Sequence, residues 1–494
     1  MYQIDSEDAN FLFLEKAESP THISLLYFYD QSDMGEDMVR FTHLRQHIDN
    51  RLNSSPVFRQ KVQRVPGDID YPYWVDDEHF DLDFHVRHLA LPRPGDWRKF
   101  CIQVARLHSR PLDLSRPLWE LYIIEGLDNL EGFPEGCFAL YFKVHHCAMD
   151  EFTAQELLQS MHTNTPRTDQ HESTGQHIRH LPADAPLPME VLRRSIANNS
   201  RRSLRLAAQS MANVRTLSKI VTRLYLQTAQ DMVEKENTVA RFSQPLTPSR
   251  VFEGNFYDRQ LLEAYAAQEP GASFSHALLA VCGEAMHQYL KHHGEADKHK
   301  LQALLEVNVR NAGAHALAGN RIAINQVDLH TDVSYPLGRL QAIYATHEQL
   351  QSVEAQELTS FRLRSLYEHL PAPLLAWMGR TAHRRGSLSH RVMSGGNMGL
   401  AELDGSDQPL YLLGAKLLGF TGISPLYSGC GLMFNASIHC DKVGITFVSD
   451  RTMMPDPELM RECLDEAVNT LQRKLPPKSR QKKAKPSRKK RKAA

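Results

Sequence analysis

The chain has 494 residues, 42% hydrophobic and 23% charged, the composition of a packed globular body with length for two domains of roughly 200 residues each. No apolar run approaches the roughly 18 to 20 residues that cross a bilayer, the richest being 137–144, and the opening Met1-Tyr2-Gln3-Ile4-Asp5 lacks the basic and apolar regions of a secretory signal. The formal charge of −1 conceals an asymmetry: 12 of the 57 Lys and Arg lie in residues 473–494, which hold no acid, so the rest carries 45 bases against 58 acids.

Seven cysteines form no Cys-x-x-Cys pair and suit reduced thiols, so the expected compartment is the cytoplasm. Up to residue 165 helix and strand patterns mix. Asp96 is placed to cap a helix in which Trp97, Phe100, Cys101, Val104 and His108 recur at helical spacing. Strands are predicted over 121–124 and 137–144, the second apolar on both faces and therefore central. Residues 150–158 read as the opening of a helix. His145 and His146 thus lie where a buried strand meets a helix, a position that holds side chains rigidly at a cleft.

Residues 163–188 read as a connecting loop. From 189 to about 236 the pattern is helical and basic, with Leu217, Ile220, Val221 and Leu224 on one face and Arg215, Lys219 and Arg223 off it. A packed helix and a surface that touches anionic lipid both fit. A second alternation begins near 250, with helices over 276–289 and 337–350 and strands over 301–309 and 322–329. A hairpin joins 432–439 to 443–448 around Cys440-Asp441-Lys442. The expected organisation is an α/β domain over 1–165, a loop and basic helical connector over 166–250, a second α/β domain over 251–475 and a disordered basic tail over 476–494. The tail suits a solvated end or an anionic membrane or lipid-droplet surface; no nucleic acid is expected, because no reading motif accompanies it.

An alcohol attacks a thioester at neutral pH only if a base near pKa 7 takes its proton, and histidine needs little tuning for that task. His146 and Asp150 are four residues apart across the strand-to-helix turn, so Asp150 can brace the loop that carries the base. Spacing alone leaves three readings open: catalysis by His146, a satisfied structural histidine, and a metal held by His145, His146 and Asp150. Adjacent residues of a strand point to opposite faces, which counts against both histidines on one ion.

The segment His145-His146-Cys147-Ala148-Met149-Asp150 resembles the HHxxxDG motif of the bacterial wax ester synthase/diacylglycerol acyltransferase family. Upstream, Pro111-Leu112-Asp113-Leu114-Ser115-Arg116-Pro117-Leu118-Trp119-Glu120 is similar to its PLDxxxPLWE stretch, and Phe11-Leu12-Phe13-Leu14-Glu15 with Pro20-Thr21-His22 to its N-terminal signature. Downstream, Asn308-Val309-Arg310, Gly319-Asn320-Arg321 and Ser424-Pro425-Leu426-Tyr427 follow in the family's order. The resemblance implies two chloramphenicol-acetyltransferase-like domains, each a mixed sheet flanked by helices, with the active site at their interface. It implies an acyl-CoA-dependent O-acyltransferase that forms wax esters or triacylglycerol from a fatty alcohol or diacylglycerol, with no cofactor beyond acyl-CoA as co-substrate.

In that reading His146 is the general base of a ternary complex, His145 supports it, and Asp150 pairs with Arg310. Glu151 stands where the motif has Gly, Ser275 where members carry Asn, and Asn397 where members have an Asn-x-Pro-Gly turn. Ser275 and Asn397 are therefore the oxyanion candidates, and Trp119 and Glu151 the substrate-binding ones, with Trp119 equally suited to core packing because aromatic rings chiefly supply buried area. Apolar substrates further imply peripheral association with the inner face of a membrane or with lipid inclusions. The alternatives are a condensation-type transferase fed by carrier proteins, which shares the His-His-x-x-x-Asp arrangement, and a catalytically weak lipid-surface protein.

Overall fold

The computed structural model describes residues 1–52, 55–166, 188–212, 241–296, 301–308, 322–350, 370–382, 398–427 and 429–474. The first half runs β1 (Tyr2–Gln3), α1 (Ser6–Leu14), β2 (His22–Asp30), α2 (Phe41–Asp49), β3 (Gln60–Gln63), β4 (Tyr73–Asp76), α3 (Leu82–His85), β5 (Val86–Ala90), α4 (Trp97–Ser109), β6 (Trp119–Glu125), β7 (Phe138–His145) and α5 (Glu151–Gln159). After α6 (Pro188–Ala212) come β8 (Arg250–Asp258), α7 (Arg259–Ala266), α8 (Phe274–His292), β9 (Gln302–Asn308), β10 (Ile322–Asp328), α9 (Pro336–Leu350) and α10 (Ala372–Ala382). The chain then forms β11 (Met398–Asp404), β12 (Tyr411–Leu412), β13 (Ala415–Ile423), β14 (Leu432–His439), β15 (Lys442–Asp450) and α11 (Pro457–Lys474).

Two mixed six-stranded sheets result, in the orders β12-β13-β2-β7-β6-β5 and β10-β9-β11-β14-β15-β8. The helix expected behind Asp96 is α4, with the Asp96 carboxylate accepting the Lys99 N–H at 2.8 Å. It forms the crossover between the parallel strands β5 and β6. The strand expected over 137–144 is β7, buried along its whole length between β2 and β6. Its one charge, Lys143, is tolerated because Nζ donates to the carbonyls of Leu107 and Arg110 at the end of α4. Burial pushes that amine down to about 8.

The C-terminal sheet packs its Met398, Leu400, Phe434, Ile445 and Phe447 against α8 and α11 in one core. The N-terminal sheet covers one face with α2 and α5, and turns the other toward α4 and the second half. There Leu26, Phe28, Phe100 and Tyr141 meet Phe252, Met433 and Val448, so the seam between the halves is itself an apolar core. Trp97 of α4 crosses the seam with a hydrogen bond to Glu253 of β8.

The halves also exchange structure. Although β12 and β13 follow β11 of the C-terminal sheet, β13 pairs along its length with β2 and completes the N-terminal sheet. No period-2 pattern announces this partner, because β2 and β13 are buried on nearly every residue.

Candidate active site

Because β7 and β13 both pair antiparallel with β2, they run parallel to each other and end at the same sheet edge. At that edge His22 faces His145, and Ser24 faces Ile423. The next residues, His146 level with Thr21 and Ser424 level with Ile23, therefore leave the sheet on either side of β2. Backbone bonds fix the exit: the His145 N–H donates to Leu118 O at 3.0 Å, and the His146 N–H to Thr21 O at 2.9 Å.

His145 is fully buried, and its hydrogen bonds assign its tautomer. Nδ1 accepts the Cys147 N–H at 3.1 Å, so the ring proton sits on Nε2. Nε2 donates to Thr21 Oγ1 at 3.1 Å, whose own proton goes to Phe11 O at 2.9 Å; Glu15 Oε2 stands 3.3 Å from the same nitrogen. With both nitrogens engaged inside the fold, His145 supports the turn.

His146 is also buried, but its ring lies in a different setting. Phe11 stacks flat on it, with centroids 3.9 Å apart and planes 7° apart, and Nε2 stands 3.6 Å from Glu151 Oε2. Asp150 is the N-cap of α5: its Oδ1 accepts the Thr153 N–H at 2.8 Å and the Thr153 hydroxyl at 2.7 Å. The cap fixes the helix that begins with Glu151, and thereby the carboxylate beside the base. Burial raises the Glu151 pKa, while His146, its own N–H and the Ser424 hydroxyl act in the opposite sense. The Ser424 proton itself points to Asn435 Oδ1 at 2.7 Å.

The remaining expected site residues fall elsewhere. Trp119, expected as a substrate contact, is a core residue: its ring stacks on His85 at 4.5 Å, and its N–H is satisfied by Phe58 O at 3.1 Å. Ser275, expected at the oxyanion, donates its hydroxyl to Glu402 Oε2 at 2.8 Å, so its one proton is committed to a carboxylate that burial has raised to about 7. Arg310 and Asn397 lie outside the described residues, and with them the expected Asp150–Arg310 pair. The Cys147 thiol is buried and pushed well up, which suits packing and not nucleophilic attack.

Phe11, Glu15, Thr21 and Ser424 join the site without having been assigned a role from the sequence. All four sit inside segments that resemble family signatures, and that order was the one signal pointing at them, since they are remote in sequence from the histidine turn, Thr21 lying 124 positions from His145. Together these residues hold an imidazole, fixed on one side by an aromatic face, beside a buried carboxylate at the meeting edge of both halves. Such a water-poor site can accept a proton from a hydroxyl without leaking the acyl group to water.

Comparison with known proteins agrees with this architecture. The profile of the wax ester synthase/diacylglycerol acyltransferase catalytic domain matches residues 4–266, and that of the WS/DGAT C-terminal domain matches 318–472. The chain is 24% identical over 478 residues to an O-acyltransferase WSD of Acinetobacter baylyi, covering 93% of this chain and 95% of that one. It is 27% identical over 477 residues to a putative diacylglycerol O-acyltransferase of Mycobacterium tuberculosis, covering 94% and 98%. Among solved structures, the wax ester synthase/diacylglycerol acyltransferase from Marinobacter aquaeolei VT8 superposes with a TM-score of 0.63 at 23% identity, covering 95% of this chain and 98% of that one. The chain belongs to the wax ester synthase/diacylglycerol acyltransferase family and is an acyltransferase.

Proposed function

We propose that this acyltransferase moves an acyl group from acyl-CoA to the hydroxyl of a fatty alcohol or diacylglycerol within a ternary complex, with His146 as general base. As the hydroxyl oxygen forms its bond to the thioester carbonyl carbon, the hydroxyl proton passes to the His146 ring. The C–S bond then breaks, and the imidazolium returns the proton to the CoA thiolate. The observation that carries this reading is the setting of His146: a buried ring clamped by Phe11 at the edge where β7 and β13 end together. His145, its tautomer fixed by Cys147 and Thr21, supports the turn, and Asp150 fixes α5. No cofactor takes part beyond the acyl-CoA co-substrate.

The test is CoA release from palmitoyl-CoA with hexadecanol or diolein, comparing the wild type with His146→Ala. A loss of about 100-fold or more in kcat is the expected result for removal of a general base. Equal, slow release by both proteins would instead favour a lipid-surface protein without turnover.

Peripheral attachment to an anionic membrane or lipid inclusion belongs to the same reading. Among the described residues no helix is long and apolar enough to cross a membrane. Instead, α6 exposes Met189, Leu192, Ile196 and Leu204 beside exposed Arg193, Arg194 and Arg201. Helix α10 exposes Leu374 and Trp377. Both helices dock on one segment, α6 through Arg202 to Asp70 at 3.1 Å and α10 through Arg380 to Asp68 at 2.8 Å. Of the basic helical stretch expected from 189 to about 236, α6 covers the part up to Ala212, and the face of Leu217, Ile220, Val221 and Leu224 lies outside the described residues. A blue shift of Trp377 fluorescence with phosphatidylglycerol vesicles, absent in Trp377→Phe, supports this attachment; no shift refutes it.

A further inference from the structure

The residue after the N-cap of α5 sets this site apart. Glu151 occupies the position where the motif of its family carries Gly, and a solitary imidazole would suffice to take a proton from a simple alcohol. Instead the chain places a carboxylate in a nearly solvent-free site, 3.6 Å from Nε2 of the base. That distance is an electrostatic contact and not a hydrogen bond.

Neither carboxylate oxygen accepts a hydrogen bond of good geometry among the described residues, although the Glu151 N–H and the Ser424 hydroxyl lie near enough to favour the charged form. The Ser424 proton is directed to Asn435 Oδ1 at 2.7 Å. The side chain cannot swing clear by moving its own backbone. Its φ and ψ belong to the first turn of α5, and the Asp150 cap pins that turn through Thr153. A buried carboxylate with open lone pairs is costly, and a partner that brings donors into the site recovers that cost.

A long-chain monohydric alcohol brings one O–H, and the reaction spends it on His146. A molecule with a second O–H or N–H on the adjacent carbon brings one more. Its two heteroatoms can each reach one group, because a hydrogen bond of ordinary length to Nε2 and another to Oε2 span the 3.6 Å between them. We propose that Glu151 selects the acyl acceptor, accepting a hydrogen bond from a second donor vicinal to the hydroxyl that His146 deprotonates. The preferred acceptors are then 1,2-diols and 2-amino alcohols carrying an acyl or alkyl chain.

This inference rests on the acyltransferase reading above and adds a substrate class to it. The chemistry is unchanged: the acceptor oxygen bonds to the acyl carbon, the C–S bond breaks, and one proton travels from the hydroxyl through His146 to the CoA thiolate. Glu151 binds the second donor and exchanges no proton in the balance. Discrimination comes from what is left behind, since a monohydric acceptor leaves the carboxylate without a partner in the closed site.

The experiment compares hexadecan-1-ol, hexadecane-1,2-diol and 2-aminohexadecan-1-ol as acceptors, with palmitoyl-CoA as donor, for the wild type, Glu151→Gly and Glu151→Gln. The readout is the ratio of kcat/KM between acceptors within each protein, which does not depend on how much of a variant is correctly folded. The wild type is expected to favour the diol or amino alcohol over the monohydric alcohol by about tenfold or more. Glu151→Gly is expected to bring the ratio close to one, and Glu151→Gln to leave an intermediate ratio, since the amide oxygen still accepts. A wild-type ratio near one, or a preference that Glu151→Gly leaves unchanged, overturns the assignment while the acyltransferase reading stands. Absence of CoA release with every acceptor in every protein overturns both.

Discussion

Thr21 links the two histidines, and its replacement by Val tests whether that link matters to the chemistry. The hydroxyl of this fully buried residue accepts from His145 Nε2 at 3.1 Å and donates to Phe11 O at 2.9 Å, while the Phe11 ring lies against His146 at 3.9 Å. Valine keeps the shape and removes both bonds. A neutral hydrogen bond is worth about 1 kcal/mol, and a buried group left without a partner costs about 1 to 3 kcal/mol. Glu15, 3.3 Å from the same nitrogen, offers His145 a replacement, and the Phe11 carbonyl, on losing the hydroxyl, still accepts the Glu15 N–H at 3.1 Å. With both groups still partnered, the expected loss is about 1 to 2 kcal/mol. The functional loss follows from position: Phe11 O keeps the Glu15 N–H at 3.1 Å but loses its tie to Thr21, and misplacement of a catalytic group by about 1 Å costs up to about 100-fold. Urea denaturation and CoA-release kinetics read the two effects. We expect kcat to fall about tenfold with KM for acyl-CoA unchanged, and Thr21→Ser to restore it. Full kcat in Thr21→Val, or equal damage from Val and Ser, would refute the coupling.

Three further outcomes follow from the same contacts. The Asp150 cap should appear as coupling: Thr153→Val and Asp150→Ala, singly and together, should be non-additive by about 1 kcal/mol or more in urea unfolding, and additivity within about 0.5 kcal/mol would show that the hydroxyl contributes nothing. Glu402 has its folded pKa raised to about 7 from 4.5, so the folded state binds the extra proton between those values. Its stabilising effect is present in full below pH about 4.5 and is lost as pH rises through 7, on the order of 3 kcal/mol; Glu402→Gln should abolish that part of the difference between pH 5 and pH 8. Removing Arg202 takes the 3.1 Å guanidinium contact from buried Asp70, which keeps the Tyr71 N–H, the Tyr73 hydroxyl and Asn198 Nδ2 as donors, at a cost of about 1 to 3 kcal/mol. Limited proteolysis of Arg202→Ala should then cut within α6 at protease levels the wild type resists, and identical cleavage would mean that the helix docks by other contacts.

The sequence made individual elements legible wherever one residue pattern sufficed. Asp96 announced α4, the apolar run up to Val144 announced β7, and the turn around Cys440-Asp441-Lys442 announced the hairpin of β14 and β15. What it hid was pairing. Nothing in 415–423 states that this strand leaves its neighbours to join β2, because strand partners are chosen by packing across the whole fold and not by local propensity. Trp119 shows the same limit from the other side. Its place in a family signature suggested substrate, whereas His85, Phe58 and Phe142 enclose it as core. Ser275 could not be separated from Glu402 by reading either residue alone, since 127 positions lie between them.

The exchanged strand explains why the base lies at an interface while resting on one sheet. Had β13 stayed with the C-terminal sheet, Ser424 would not reach the edge where His146 emerges. By running beside β2 in the direction of β7, it carries the chain of the second half to within reach of Glu151, and Ser19 holds it there by donating to Leu426 O at 2.8 Å. Gln155 of α5 binds the Asp404 carbonyl at the end of β11, which ties the helix behind the carboxylate to the other sheet. Motion of one half against the other would therefore strain β2–β13 pairing and α5 together. Substrate entry is accordingly expected along the seam rather than by opening it, so a disulfide that joins β2 to β13 should leave kcat intact. A cross-linked enzyme that binds acyl-CoA but no longer turns over would show instead that the halves must part during each cycle.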